Sequence, residues 1–209
     1  MKQYQAYLFD LDGTLVNSEP LKAKALALTC SGYDVTVDFQ IYKEVMGQEW
    51  SHVINHFFQS AHISPNVDEF NQQFRDNYQE LLATELQLTK GAREYIESLR
   101  HDGVKCAVVS SASMWMIDSI LTQLGMTELF DVIVAKEDVT AHKPSPEAYN
   151  LAVSKLGVKP FQSLIFEDST VGVKAGISSG NDVIALRHEF NLNHDLSSAV
   201  RIIDDFSEL

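Results

Sequence analysis

The chain has 209 residues, of which 45% are hydrophobic and 22% charged, and its formal net charge is −13. That is globular material with enough apolar residues for one sizeable core, or for a core plus a small second domain. The acidic balance repels nucleic-acid phosphates and no basic cluster offsets it, so no nucleic-acid partner is expected. No apolar run is long enough for a membrane span, so no membrane association is expected either. The opening "MKQYQAYLFD" lacks an apolar stretch of signal-peptide length, which makes the cytoplasm the expected compartment. Cys30 and Cys106 stand in apolar surroundings and read as buried thiols in a reducing compartment.

In chain order, the first apolar run is Tyr7–Phe9. It leads into "LFDLDGT", where Asp10 and Asp12 stand two residues apart at the end of a strand pattern. Paired acids repel each other. Either a cation sits between them, or one carries a proton, or the pair lies in a solvated turn.

From 17 to 84 the pattern turns helical. Ser18 is placed to cap a helix that accepts Pro20 in its first turn and ends at Gly32. Further helical patterns cover 39–46, 49–60 and 66–84, although part of "DVTVDF" suits a strand. Beyond it, apolar runs at Val104–Val109, Val132–Ala135, Leu164–Phe166, Val183–Leu186 and Val200–Ile203 alternate with helix-period stretches at 89–102, 113–124, 145–156 and 170–179. Continuous apolar runs fit strands covered on both faces. The rhythm predicts an α/β fold: a Rossmann-like parallel sheet core over 1–16 and 85–209, with a small inserted α-helical domain over 17–84. The two connections, near 15–17 and 84–89, would be hinges.

Ligands of open parallel sheets bind outside the carboxyl ends of the strands. The residues that follow the runs there are Asp10, Asp12 and Thr14, then Ser110 and Ser111, then Glu167 and Asp168, with Lys143 in a loop before Pro144. Acids, a hydroxyl and an ammonium at several strand ends suit phosphoryl transfer. Asp10, Asp168 and Glu167 offer hard oxygen ligands to Mg²⁺, which tolerates one or two carboxylates beside waters and a substrate phosphate. Asp10 is placed to attack phosphorus, and Asp12 to protonate the leaving oxygen and then activate water. Ser110, with the Ser111 amide and a helix start behind it, suits a phosphoryl oxygen. Lys143 suits the charge on Asp10 and on the transferring group. A calcium loop is excluded, because the glycine comes too early and the twelfth position is Leu21.

The same segments carry a family resemblance. "DLDGT", "VVSS", "HKPSPEAY" and "FEDSTVGVKAG" resemble, in order and over nearly the whole chain, the four motifs of the haloacid dehalogenase-like hydrolase superfamily. Within it the chain is most similar to the branch of sugar-phosphate phosphatases and β-phosphoglucomutases. The resemblance implies a helical cap that closes over substrate, Mg²⁺, and an aspartyl-phosphate intermediate. It also implies Asp10 as nucleophile and Asp12 as acid/base, Ser110 and Lys143 as phosphate contacts, and Asp168, with Glu167 close by, in the metal cluster. From the residues themselves, Ser111 joins the phosphate contacts, and Asp10 and Asp12 join Glu167 and Asp168 as the acids that a cation must neutralise. The implied partner is a small phosphorylated metabolite, and a monomer is expected.

Several positions depart from the family pattern. Asn17 stands where many relatives have Asp. Trp50, three residues after Gly47, stands where a mutase has an arginine. Phe74, next to Arg75, takes the place of a mutase's lysine, and Lys22 that of its histidine. A mutase must hold a bisphosphate at both ends, so a phosphatase is favoured over a phosphomutase. Trp50 is either core or a substrate contact at the cap mouth. His52 and His56 share a helix face but lack a zinc-protease glutamate, and they read as solvated. Gly172, Ala175 and Gly176 form a small helix face suited to close packing. A phospho-accepting signalling module would also gather acids, a hydroxyl and a lysine at strand ends, but it has no use for Asp12 or a cap. A dehalogenase would need neither Asp12 nor the metal cluster in this form.

Overall fold

Six apolar runs become the six strands of one parallel sheet in a computed structural model that describes residues 3–209. They are β1 (Ala6–Phe9), β2 (Lys105–Val109), β3 (Val132–Val134), β4 (Ser163–Glu167), β5 (Asp182–Leu186) and β6 (Arg201–Ile203), in the order β3-β2-β1-β4-β5-β6. This is a Rossmann-like arrangement, as the alternation of short apolar runs with helical stretches predicts. The chain divides into two compact units. One is formed by the residues up to Val16 together with Leu88–Leu209, and the other is Asn17–Gln87.

In the α/β unit β1 is central, with Phe9 level with Val108 of β2 and Phe166 of β4. Successive side chains of a strand face opposite ways. Ala6 and Leu8 therefore join Ala107, Val109, Ile165, Val183 and Ala185 on one face, under α6 (Glu147–Leu156) and α7 (Thr170–Ser178). Tyr7 and Phe9 face the other way. There Phe9 stacks on Phe166 at 5.0 Å, and Phe206 and Tyr95 of α4 (Ala92–His101) close the cluster. α5 (Met114–Gln123) follows β2. Both cysteines are free and buried, and burial pushes the thiols up to about 11 for Cys30 and about 12 for Cys106. Thiols this reluctant to ionise are inert packing groups.

The helical unit contains α1 (Glu19–Ser31), α2 (Trp50–Ala61) and α3 (Val67–Glu85), and α1 packs along α3. Its core contains a cluster of rings among aliphatic side chains. Phe74 lies between Trp50 (ring centroids 4.5 Å apart) and Tyr78 (5.5 Å), and Phe70 meets Phe58 edge-on at 4.7 Å. Asn66 caps α3, its side-chain oxygen accepting from the amides of Asp68 and Glu69.

One local expectation fails here and one alternative is decided. Ser18 stands at the start of α1 but is itself helical (φ −94, ψ −18), and its hydroxyl makes no cap bond. "DVTVDF" forms no strand. Instead the Asp38 carboxylate accepts from the Gln40 amide and opens a 3-10 helix, Phe39–Glu44. That element meets the helical pattern over 39–46 as a 3-10 helix, and the local side-chain cap takes the place of a strand. No helix among the described residues is long and apolar enough to cross a membrane.

Candidate active site

The ladder positions the strand ends. The Asp10 amide donates to the Phe166 carbonyl (2.9 Å) and the Ser110 amide to the Val134 carbonyl (3.0 Å). Pairing thus runs one residue past β1 and β2, and Asp10 comes level with Glu167. A tight turn follows: the amides of Leu15 and Val16 both donate to the Leu11 carbonyl, and that of Gly13 to the Val16 carbonyl. Gly13 adopts φ +76, and a Cβ there would run into the Asp168 carboxylate and stand 2.9 Å from His188 Nε2. Only glycine meets both demands.

Lys143 ties three strands together. Its ammonium donates to Asp10 Oδ1 (2.5 Å), Glu167 Oε1 (2.6 Å) and the Val109 carbonyl (3.1 Å), which uses all three of its protons. The peptide bond to Pro144 is cis. Burial alone would lower the lysine, but the Asp10 and Glu167 carboxylates outweigh it and hold the ammonium well above its usual range. The ammonium also lies 5.0 Å from the centre of the Tyr149 ring.

Glu167 is fully buried and accepts five hydrogen bonds. Oε1 takes Lys143 and the Tyr149 hydroxyl (2.8 Å), while Oε2 takes the amides of Asp168 and Ser169 and the Ser169 hydroxyl. Burial would raise this carboxyl, but the lysine and the donors around it win and lower it. Gly172 makes room for it, because a Cβ there would overlap the Glu167 carboxylate. The small face of α7 therefore has two uses. Gly176 allows close packing on Val183 and Ile165, and Gly172 admits a carboxylate.

Asp10, Glu167 and Asp168 each place an oxygen within 4.8 Å of the others. Burial raises Asp10 well above the carboxylate range, and although Lys143 pulls it down, Glu167 and Asp168 push it further up. Three buried acids against one ammonium leave negative charge uncompensated. A hard divalent cation is the partner such a donor set fits.

Asp12 is buried in the turn beyond Asp10 and is not one of those three acids. Ser110 is buried; its Oγ accepts the Ala112 amide at 3.0 Å, which leaves its proton to donate. Ser111 is exposed. The start of α5 already has an anion, since Glu137 accepts from the Met114 amide at 3.0 Å. In the helical unit Trp50 is half-buried, its indole N–H donates to Asn71 (2.8 Å), and its ring rests on buried Phe74. Lys22 pairs with Glu19 at 3.2 Å, and Arg75 is exposed.

Residues that sequence reasoning missed also meet here. Tyr149 lies inside a quoted motif, and the signal was available, because a buried tyrosine hydroxyl needs a partner. Glu137 had no such signal. The loop after β5 was passed over, although it ends on the same rim: His188 bonds Asp168 Oδ2 at 2.9 Å, and Asn191 donates to the Asp168 carbonyl at 2.7 Å.

The fold is thus a Rossmann-like sheet whose strand ends gather a buried lysine and three acids. The model of the haloacid dehalogenase-like hydrolases matches residues 7–186, and the chain belongs to that family. It is 31% identical to a validoxylamine A 7′-phosphate phosphatase of Streptomyces hygroscopicus subsp. limoneus, over 99% of this chain and 96% of that protein. It is 26% identical to the fructose-1-phosphate phosphatase YqaB of Escherichia coli, over 89% and 98%. Among solved structures it is similar to CbbY from Rhodobacter sphaeroides in complex with phosphate, at 28% identity, TM-score 0.89 and coverage of 99% and 96%. The chain is a phosphomonoester hydrolase.

Proposed function

We propose that this enzyme hydrolyses a small sugar phosphate through an aspartyl-phosphate on Asp10, with Mg²⁺ as cofactor. The observation that carries this reading is the arrangement of Asp10, Glu167 and Asp168 within 4.8 Å, with Lys143 bonded to the first two. Relatives named as phosphatases of sugar-like phosphates support the substrate class.

Asp10 and Asp168 are the proposed ligands of Mg²⁺, with Asp12 completing the acidic set. Glu167 adds charge, while its own oxygens hold Lys143 and the start of α7. When bound, Mg²⁺ would offset the charge of the acids and let a phosphate dianion approach them. Asp10 then attacks phosphorus. The new O–P bond forms as the ester P–O bond breaks, and the leaving sugar oxygen takes a proton from Asp12. Water attacks the acyl phosphate and gives its proton to Asp12, which releases inorganic phosphate and restores Asp10. Lys143 keeps the Asp10 carboxylate in one orientation, and Ser110 donates its hydroxyl proton to a phosphoryl oxygen, with the Ser111 amide behind it. The helical unit is the proposed cap domain and selects the sugar.

The test is phosphate release from p-nitrophenyl phosphate and from a panel of sugar phosphates, with Mg²⁺ and with EDTA. Asp10→Asn should lower turnover by at least about 10³-fold with the fold intact, since an amide cannot form the acyl phosphate. A tenth of the wild-type rate in that variant, or full activity after chelation, overturns the reading. β-Glucose 1-phosphate with a trace of the 1,6-bisphosphate should yield free phosphate. Faster formation of glucose 6-phosphate would make the enzyme a phosphomutase.

A further inference from the structure

The loop after β5 grips the segment Asp168–Thr170 at three atoms with three side chains. His188 bonds the Asp168 carboxylate, Asn191 donates to the Asp168 carbonyl, and His194 Nδ1 accepts the Thr170 amide at 3.3 Å. The proposed reaction uses none of the three. We infer that His188 is a positioning residue that fixes the Asp168 carboxylate for a divalent cation, with Asn191 fixing His188 and the backbone beneath it. The inference rests on the metal-dependent reading above.

The hydrogen bonds set the direction of each contact. The Phe190 amide donates to His188 Nδ1 at 3.2 Å, so that nitrogen is the acceptor and the ring proton sits on Nε2. His188 therefore donates to Asp168 Oδ2. Asn191 is 1% exposed, and every polar atom of its amide is engaged: Oδ1 accepts the His188 amide (2.8 Å), and Nδ2 donates to the carbonyls of Asp168 and Leu186. One side chain thus joins the end of β5, the backbone of His188 and the backbone of Asp168. The Gly13 turn lies against the same contact, where any Cβ would strike the Asp168–His188 pair. A carboxylate held at one oxygen by a ring donor, at its backbone by an amide and at that same oxygen by a close glycine turn has little rotational freedom. Partners that orient metal-binding side chains in this way commonly set metal affinity.

The test is Mn²⁺ binding, followed by electron paramagnetic resonance on the purified full chain, for wild type, His188→Ala, His188→Phe and His188→Gln. Loss of the donor in the Ala and Phe variants should weaken Mn²⁺ binding about 10–100-fold. His188→Gln, whose amide can donate from near the same place, should recover most of it. The Mg²⁺ concentration for half-maximal turnover should move in parallel, with kcat at saturating Mg²⁺ much less affected. The Phe variant preserves ring volume, so the comparison with Gln stands if the Ala variant does not fold. Wild-type affinity in His188→Phe, or equal weakness in His188→Phe and His188→Gln, overturns the positioning role. A wild-type chain that binds no Mn²⁺ overturns the metal reading and this inference with it.

Discussion

The two units are stabilised by different means. In the α/β unit the strand ends bury Asp10, Asp12, Ser110, Glu167 and Asp168, and hydrogen bonds tie Lys143, Tyr149, His188 and Asn191 to them. In the helical unit rings, Trp50–Phe74–Tyr78 and Phe58–Phe70–Tyr33, pack among buried aliphatic side chains, and α1 is joined to α3 by the Asn77–Thr29 and Lys24–Glu85 bonds. Aromatic burial is nondirectional and tolerates repacking, whereas a buried polar network fails when one partner is lost. Precision is therefore concentrated where phosphorus chemistry would need it.

The largest effect that can break this contrast is at Lys143. Lys143→Ala leaves Asp10 and Glu167 buried and facing each other, and should cost about 3–5 kcal/mol in urea unfolding. Added Mg²⁺ should return part of that loss, because a cation again offsets the acids. A loss under 1 kcal/mol would show that water reaches these carboxylates.

Phe74→Ala should match that loss in size from a different cause. Removing a buried ring costs about 3–5 kcal/mol through lost transfer energy and the cavity left behind. Mg²⁺ should return none of it. If Mg²⁺ stabilised both variants equally, the distinction between a charge network and a ring core would fail.

Tyr149→Phe sharpens the contrast at a smaller scale. It removes one of five donors to Glu167 and keeps the ring beside Lys143, so the expected cost is about 1 kcal/mol. Its counterpart in the helical unit, Trp50→Phe, loses the bond to Asn71 and should cost a similar amount. A Tyr149→Phe loss several times that of Trp50→Phe would show that the buried network is strongly cooperative.

These differences decide what could be read from the sequence. The central strands β1 and β4 were legible because both faces are covered, so each is an apolar run that ends on an acid. The ends of β1 and β4 and the lysine loop then brought Asp10, Glu167, Asp168 and Lys143 into one place. Side chains that lie outside the strand ends and outside the quoted motifs were not legible. Nothing near Glu137 signals that it caps α5, and nothing near His188 names Asp168, twenty residues before it. Gly172 was visible as part of a small helix face, but its reason is the Glu167 carboxylate, which only the folded turn brings beneath it. Ser18 marked the start of α1, although its hydroxyl makes no cap bond there.

The central place of β1 also has a consequence during synthesis. Its four residues, Ala-Tyr-Leu-Phe, leave the ribosome first among the strands, yet their neighbours are Lys105–Val109 and Ser163–Glu167. At about 5–20 residues per second, β1 waits roughly 5–20 s for β2 and roughly 8–30 s for β4. Residues 17–87 are contiguous and gather their own core, so they have time to fold within that interval. The nascent chain would then carry a finished helical body beside an unpaired, sticky N-terminal strand. That strand is the segment for a chaperone to shield until the sheet can close.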